Sequence, residues 1–218
     1  MQDCFLAKEE WRNLWADGRD PFSALVDEFW DCFALCPHAV RRAHELRNRS
    51  EGGVSLDLEA TLAVTKEAED LHNRLIAWHD IVVQYLPAPQ EVATTNPEPP
   101  YPTVLTYPSV WLGTLYMGYW ASLLIVQSAM ESCGYPVDTL QSTQKLLANI
   151  LKSVECVGEG LMGPYRIGYS LRIAAEFAGP GERAWISRVL RPTASSFAAT
   201  TPTEVPGRLR RLLVGADN

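Results

Sequence analysis

The sequence predicts an all-α fold, a multi-helix bundle with a central aromatic-rich helix. Three observations carry this. From Leu58 to Tyr85 the apolar residues Leu58, Leu62, Ala68, Leu71, Leu75, Trp78, Val82 and Tyr85 step by threes and fours, while Glu59, Lys66, Glu67, Asp70, Asn73 and Arg74 occupy the opposite face, the pattern of a helix with one buried stripe. From Pro108 to Cys133 apolar residues fall on nearly every face, Trp111, Leu115, Tyr116, Tyr119, Trp120, Leu123, Leu124 and Val126 among them, which suits a helix enclosed on all sides. No segment shows the alternation of a half-buried strand, so no sheet is expected.

The remaining elements follow in order. Phe5 to Trp15 is amphipathic and aromatic-rich. Asp20-Pro21 reads as an N-cap with proline at the first helical position. Phe22, Leu25, Val26, Phe29, Trp30 and Phe33 then predict a helix to about Leu35, which Pro37 ends or kinks. Val40 to Arg47 forms a further turn or two, and Ser50 to Gly53 a loop. Ser55 or Asp57 caps the Leu58–Tyr85 helix. Pro87 to Pro102 holds six prolines and excludes a helix or a central strand, leaving a connection that is flexible or packed as an extended strap. Gly134 and Tyr135-Pro136 close the aromatic helix. Asp138 to Val157 is amphipathic and helical, Gly158, Gly160 and Gly163 form a loop, and Tyr165 to Phe177 is the next helix. Gly179-Pro180-Gly181 breaks it before a short helix from Glu182 to Leu190. Residues 192–218 form a Thr/Ser/Pro tail with a last turn at Arg208 to Leu213. The organisation is one helical domain over residues 1–218, with 87–103 as a proline-rich internal connection.

Composition narrows the function classes. The 218 residues are 47% hydrophobic, with 19 basic and 26 acidic side chains, which fits a soluble globular chain and excludes wholesale disorder. The acidity sits in residues 1–100, with 18 acidic and 9 basic side chains, against 8 and 10 in the rest. A net-acidic chain lacks the concentrated basic face that nucleic-acid binding needs, and Arg208, Arg210 and Arg211 are too few to supply one. The longest apolar stretch, around Ser122 to Ala129, is interrupted by Gln127 and too short to span a bilayer, so no membrane partner is expected. Cys4, Cys32, Cys36, Cys133 and Cys156 are an odd set with no disulfide framework, and Met1 to Glu10 is too charged for a signal peptide; both point to an intracellular, reducing compartment.

Motifs for chemistry are sparse. There is no Gly-rich phosphate loop, nucleophile elbow or HExxH, and no aspartate-rich metal segment. Cys32 and Cys36, with His38 nearby, lack a second ligand pair, so they read as structural cysteines; no metal and no cofactor are expected. The distinctive content is aromatic, with 7 Trp, 8 Tyr and 6 Phe. Two readings stand side by side. In one, the aromatics fill a packed core and Arg172 pairs with Glu176 one turn away on the surface. In the other, Trp78, Trp111, Tyr116, Tyr119 and Trp120 wall a pocket for an apolar small molecule, with Arg166 and Arg172 supplying polarity. His79 and Glu176 are then the candidate acid or base.

The order of motifs resembles the regulatory region of fungal zinc-binuclear-cluster transcription factors. Phe5-Leu6 with Trp11 and Trp15, the Asp20-Pro21 helix, and the ending Leu75-Ile76-Ala77-Trp78 before a proline-containing connection are similar to that family. So are Leu115-Tyr116 and Tyr119-Trp120 before an apolar run, and the succession Gly163-Pro164, Ser170-Leu171-Arg172-Ile173-Ala174, Glu182-x-x-Trp185. The likeness covers most of the chain to about Leu190. It departs where the family's DNA-binding head would stand: the C-x-x-C cysteine cluster and its basic linker are missing, and Tyr169 stands where proline is common. The resemblance therefore implies a helical regulatory domain without DNA binding, sensing a small molecule or contacting a protein partner or a second copy, and working in the nucleus. The alternative is the same scaffold reused in the cytoplasm as a metal-independent isomerase or cyclase of fungal secondary metabolism.

Overall fold

A computed structural model of the protein describes residues 21–51, 58–136 and 141–191. The expectations for Phe5 to Trp15, for the caps Asp20, Ser55 and Asp57, and for the 192–218 tail lie outside them. The fold is all-α in the main: helices α1 (Pro21–Glu51), α2 (Leu58–Tyr85), α3 (Val110–Ser132), α4 (Thr143–Val157), α5 (Gly163–Phe177) and α6 (Pro180–Leu190), with strands β1 (Gln90–Ala93) and β2 (Thr103–Thr106) between α2 and α3. The described residues group into two compact units, one of 21–86 and 125–136, the other of 87–124 and 141–191.

In the first unit α1 packs along α2. Phe29 meets Trp78 at 5.0 Å between ring centroids, and the Trp78 indole N–H donates to the Leu25 carbonyl at 2.7 Å. The expected stripe of α2 is buried at Ala68, Leu71, Leu75, Trp78 and Val82, whereas its ends, Leu58, Leu62 and Tyr85, are exposed. Pro37 does not end α1, which runs through it into the turns expected separately over Val40 to Arg47 and on through Ser50 and Glu51. The ring stands on the exposed side of the helix, while Phe29, Cys32, Cys36, Ala39 and Ala43 hold the inner side with side chains no more than 6% exposed. Packing outweighs the one lost backbone hydrogen bond. Cys32 and Cys36 are buried thiols, and burial pushes Cys32 up to about 11.

In the second unit β2 lies against α4, α4 against α5, and α5 against α6. The expectation of no sheet is corrected here. β1 and β2 pair antiparallel with Gln90 opposite Thr106 and Ala93 opposite Thr103. The prolines flank the strands and none interrupts them, so the ladder loses no donor. The turn between them is ordered by its own side chains: Thr94 Oγ1 accepts from the Asn96 amide at 3.1 Å, and Asn96 Oδ1 from the Glu98 amide at 3.0 Å. β2 buries Val104 and Leu105, and β1 is exposed along its length. The segment is thus a strap of two short strands laid on α4.

Every residue of α3 from 115 to 130 is buried, Trp120 and Leu124 included, which meets the expectation of a central aromatic-rich helix. Its apolar length exceeds the stretch read from the sequence: among the described residues α3 alone is long and apolar enough to cross a membrane, and 78% of that window is buried inside the protein. Gly134, at φ +84°, closes the segment as expected. The later helices begin earlier than expected. α5 starts at Gly163 and α6 at Pro180, each with proline in its first turn, where the missing N–H costs nothing. α4, expected from Asp138, instead starts later, at Thr143.

Candidate functional site

The residues expected at a site fall in both units. Trp78 and His79 belong to the first. Trp78 is consumed by its Phe29 and Leu25 contacts, and burial holds His79 below the ordinary histidine range. The others belong to the second. Tyr116 stacks obliquely between Tyr107 and Trp120, at 5.8 and 5.6 Å, and Tyr119 is 1% exposed. Trp111 is 42% exposed. The Arg166 guanidinium donates to the carbonyls of Val157 at 3.3 Å and Glu159 at 2.7 Å, capping the C-terminal end of α4. Arg172 and Glu176 sit one turn apart on α5, both half-buried.

The second unit has a cavity of about 100 Å³, between the strap and helices α4 and α6, and none of those expected residues lines it. Its floor is apolar: Leu151 and Val154 from α4, Trp185 and Val189 from α6, and Val104 from β2. α4 points these residues up because Leu151 and Val154 sit on its apolar stripe; one residue further on in each case, Lys152 and Glu155 emerge at the rim. The strap supplies the other wall with Thr94, Asn96, Pro99, Pro100 and Tyr101.

Four helix side chains, Lys152, Glu155, Glu182 and Arg188, latch the strap. Lys152 Nζ donates to Glu91 Oε1 at 2.6 Å, and Glu91 also accepts from the Thr103 hydroxyl. Glu155 accepts from the hydroxyls of Thr94 and Thr95, both at 2.6 Å, and from the Thr95 amide at 3.2 Å. Tyr101 donates to Glu182, and Arg188 donates to Glu98 at 2.8 Å. Lys152 Nζ also stands 5.7 Å from the Tyr101 ring centroid. These bonds fix the protonation states. The Thr94 and Thr95 hydroxyls hold Glu155 below the usual carboxylate range, Lys152 does the same for Glu91, and desolvation with the Glu182 carboxylate pushes Tyr101 up.

The sequence reading missed Lys152, Glu155 and Tyr101. Its signal was present in the β-branched run Thr103-Val104-Leu105-Thr106 and in the threonines among the prolines, which mark an ordered strap rather than a spacer. Among the described residues no group of three or more His, Cys, Asp and Glu gathers as a metal site. Comparison of the chain with protein-family models, with curated proteins and with solved structures finds no match.

Proposed function

We propose that this chain is a helical regulatory module that senses a small molecule, without binding DNA itself. The observation that carries the reading is the strap cavity. Its lining couples an apolar floor to one cation, Lys152, and one anion, Glu155. The carboxylates at the rim are held ionised and Tyr101 is held protonated, so these groups suit recognition of charge, whereas acid–base catalysis wants a group that titrates near working pH. The order of motifs shared with fungal zinc-cluster regulatory regions supports the same reading, and under it the module works in the nucleus. Burial of most of the α3 apolar window supports a protein core as its setting.

The test joins the full chain to an unrelated DNA-binding domain at a reporter promoter. The expected result is a change in transcription that Glu155→Gln abolishes at unchanged protein level. A fusion with no effect on the reporter, or one whose effect ignores Glu155→Gln, overturns the reading. The unfused chain is expected to leave duplex DNA unshifted at physiological salt.

A further inference from the structure

We propose that the open edge of β1 is a docking surface for a second copy of this chain, paired antiparallel about a two-fold axis at Val92.

The ladder sets which backbone groups face that edge. β1 has β2 as its neighbour on one side, no other described strand joins the sheet, and β1 is exposed along its length. The Thr94 N–H donates to the Pro102 carbonyl at 3.2 Å, in step with Val92 opposite Val104 and Gln90 opposite Thr106. Hydrogen-bonded pairs alternate with non-bonded ones along an antiparallel ladder. Gln90, Val92 and Thr94 therefore spend their backbone groups on β2, and Pro89, Glu91, Ala93 and Thr95 turn theirs outward. Among the outward set Pro89 has no N–H, and the Thr95 N–H already donates to Glu155 at 3.2 Å. Glu91 and Ala93 remain, each with its N–H and C=O toward the edge.

The occupant follows from this pattern. In a self-pairing centred on Val92, Glu91 of each copy stands opposite Ala93 of the other, and each such pair exchanges both of its backbone bonds. A shift of register in either direction fails. One shift sets Glu91 against Glu91 with Ala93 facing proline, and the other leaves Glu91 facing the committed Thr95 amide. At the centre Val92, 41% exposed, meets its own copy at the close, non-bonded position, and both lose apolar surface to water. Charge permits the approach. A charged residue on an edge strand ordinarily deters pairing, but Glu91 is neutralised by Lys152 of its own chain at 2.6 Å. A foreign extended peptide would need pockets beside the edge for its alternate side chains, and a strand exposed at every residue has no such walls. Pro87, Pro89 and Pro97 flank the strand, so the contact is short and closes on itself, giving a weak dimer and no filament.

The experiment is sedimentation equilibrium of the full chain, with amide exchange read at low and high concentration. A monomer–dimer equilibrium with a Kd between about 10 and about 200 μM is expected. From about 10 μM to about 1 mM chain, exchange at the Glu91 and Ala93 amides is expected to slow at least about threefold, while the Val92 and Thr94 amides, already in the ladder, do not change. Ala93→Pro deletes an outward N–H and leaves the bonds between β1 and β2; Val92→Lys sets like charges face to face. Each is expected to weaken dimerisation at least about tenfold with a melting temperature within about 3 °C of the wild type. A chain that is monomeric at about 1 mM overturns the proposal, as does a dimer that both variants leave intact, which lies on another face. A monomeric chain whose reporter response is lost in Ala93→Pro gives the edge to a strand of another protein and equally overturns self-pairing.

Discussion

Tyr101 donates its phenolic hydrogen to Glu182 at 2.5 Å across 81 residues of chain, and the other oxygen of the same carboxylate accepts the Gly179 amide at 3.0 Å. One side chain therefore both starts α6 and ties down the strap. Tyr101→Phe removes only the strap bond and is expected to cost about 1–2 kcal/mol in urea denaturation. Glu182→Ala loses both bonds and is expected to cost more than Tyr101→Phe. The linkage has a definite sign. Tyr101 holds its proton more tightly folded than unfolded, so its contribution is complete below pH 10 and is lost as the pH rises beyond it. Tyr101→Phe should flatten that alkaline loss.

At the acid end the strap loosens by the opposite sign. Glu155 is held below its ordinary value of 4.5, so the latch is intact above that pH and is lost as the pH falls through the lowered folded value. Amide exchange at Thr95, whose N–H donates to Glu155, is expected to quicken below pH 4.5 relative to the intrinsic rate. In Glu155→Gln exchange is fast at neutral pH and this acid step is absent. A Thr95 amide equally protected in both proteins would contradict the latch.

Two glycines of the second unit test packing. A Cβ on Gly163 would stand 1.8 Å from the Gly158 carbonyl oxygen, which is backbone and cannot turn aside. Gly163→Ala is expected to cost about 3 kcal/mol or more. A Cβ on Gly113 would meet Val157 Cγ2 at 2.5 Å and the Tyr107 ring at 2.8 Å. Both are side chains, although the Tyr107 hydroxyl is pinned to Ser153. Gly113→Ala is expected to cost about 1–3 kcal/mol, less than Gly163→Ala in the same denaturation series.

How much of this was legible in the sequence follows from where each signal resides. The helices were legible because their apolar period is local, and α3 because sixteen consecutive positions that must all be buried are apolar or small with few exceptions. The strap was not, because its strands are four residues long and owe their form to packing of Val104 and Leu105, a tertiary cause that local propensity does not carry. The cavity was missed for a related reason. Lys152 and Glu155 read as the ordinary polar margin of an amphipathic helix until the strap closes over them. Aromatic density drew attention instead to Tyr116 and Trp120, whose rings pack with each other and with Tyr107. Gln127 is the instructive exception. It stood out as a break in an apolar run, and its partner lies 55 residues away.

That partner is His72, whose Nε2 lies 3.1 Å from the Gln127 amide nitrogen, both side chains buried. An amide N–H can donate there only to a neutral imidazole with that nitrogen bare, so protonating His72 would set two donors face to face. Burial already depresses His72, outweighing the Asn73 hydrogen bond and the Glu69 charge, which favour the proton. Glu69 in turn is held by the Tyr135 hydroxyl at 3.1 Å. A folded-state value below the ordinary 6.5 means that the contribution is present above pH 6.5 and lost as the pH falls through the folded value. His72→Gln keeps a polar pair with Gln127 and removes the titration. Stability of the wild type should therefore fall more steeply than that of His72→Gln as the pH drops from 6.5 to 5. The difference in slope is bounded by about 1.4 kcal/mol per pH unit, the value for one proton. His79, also depressed by burial, titrates in both proteins and cancels from the comparison. Parallel slopes in urea denaturation would mean that His72 takes up its proton in the folded state as easily as in the unfolded chain, and the bare-nitrogen arrangement with Gln127 would have to be abandoned.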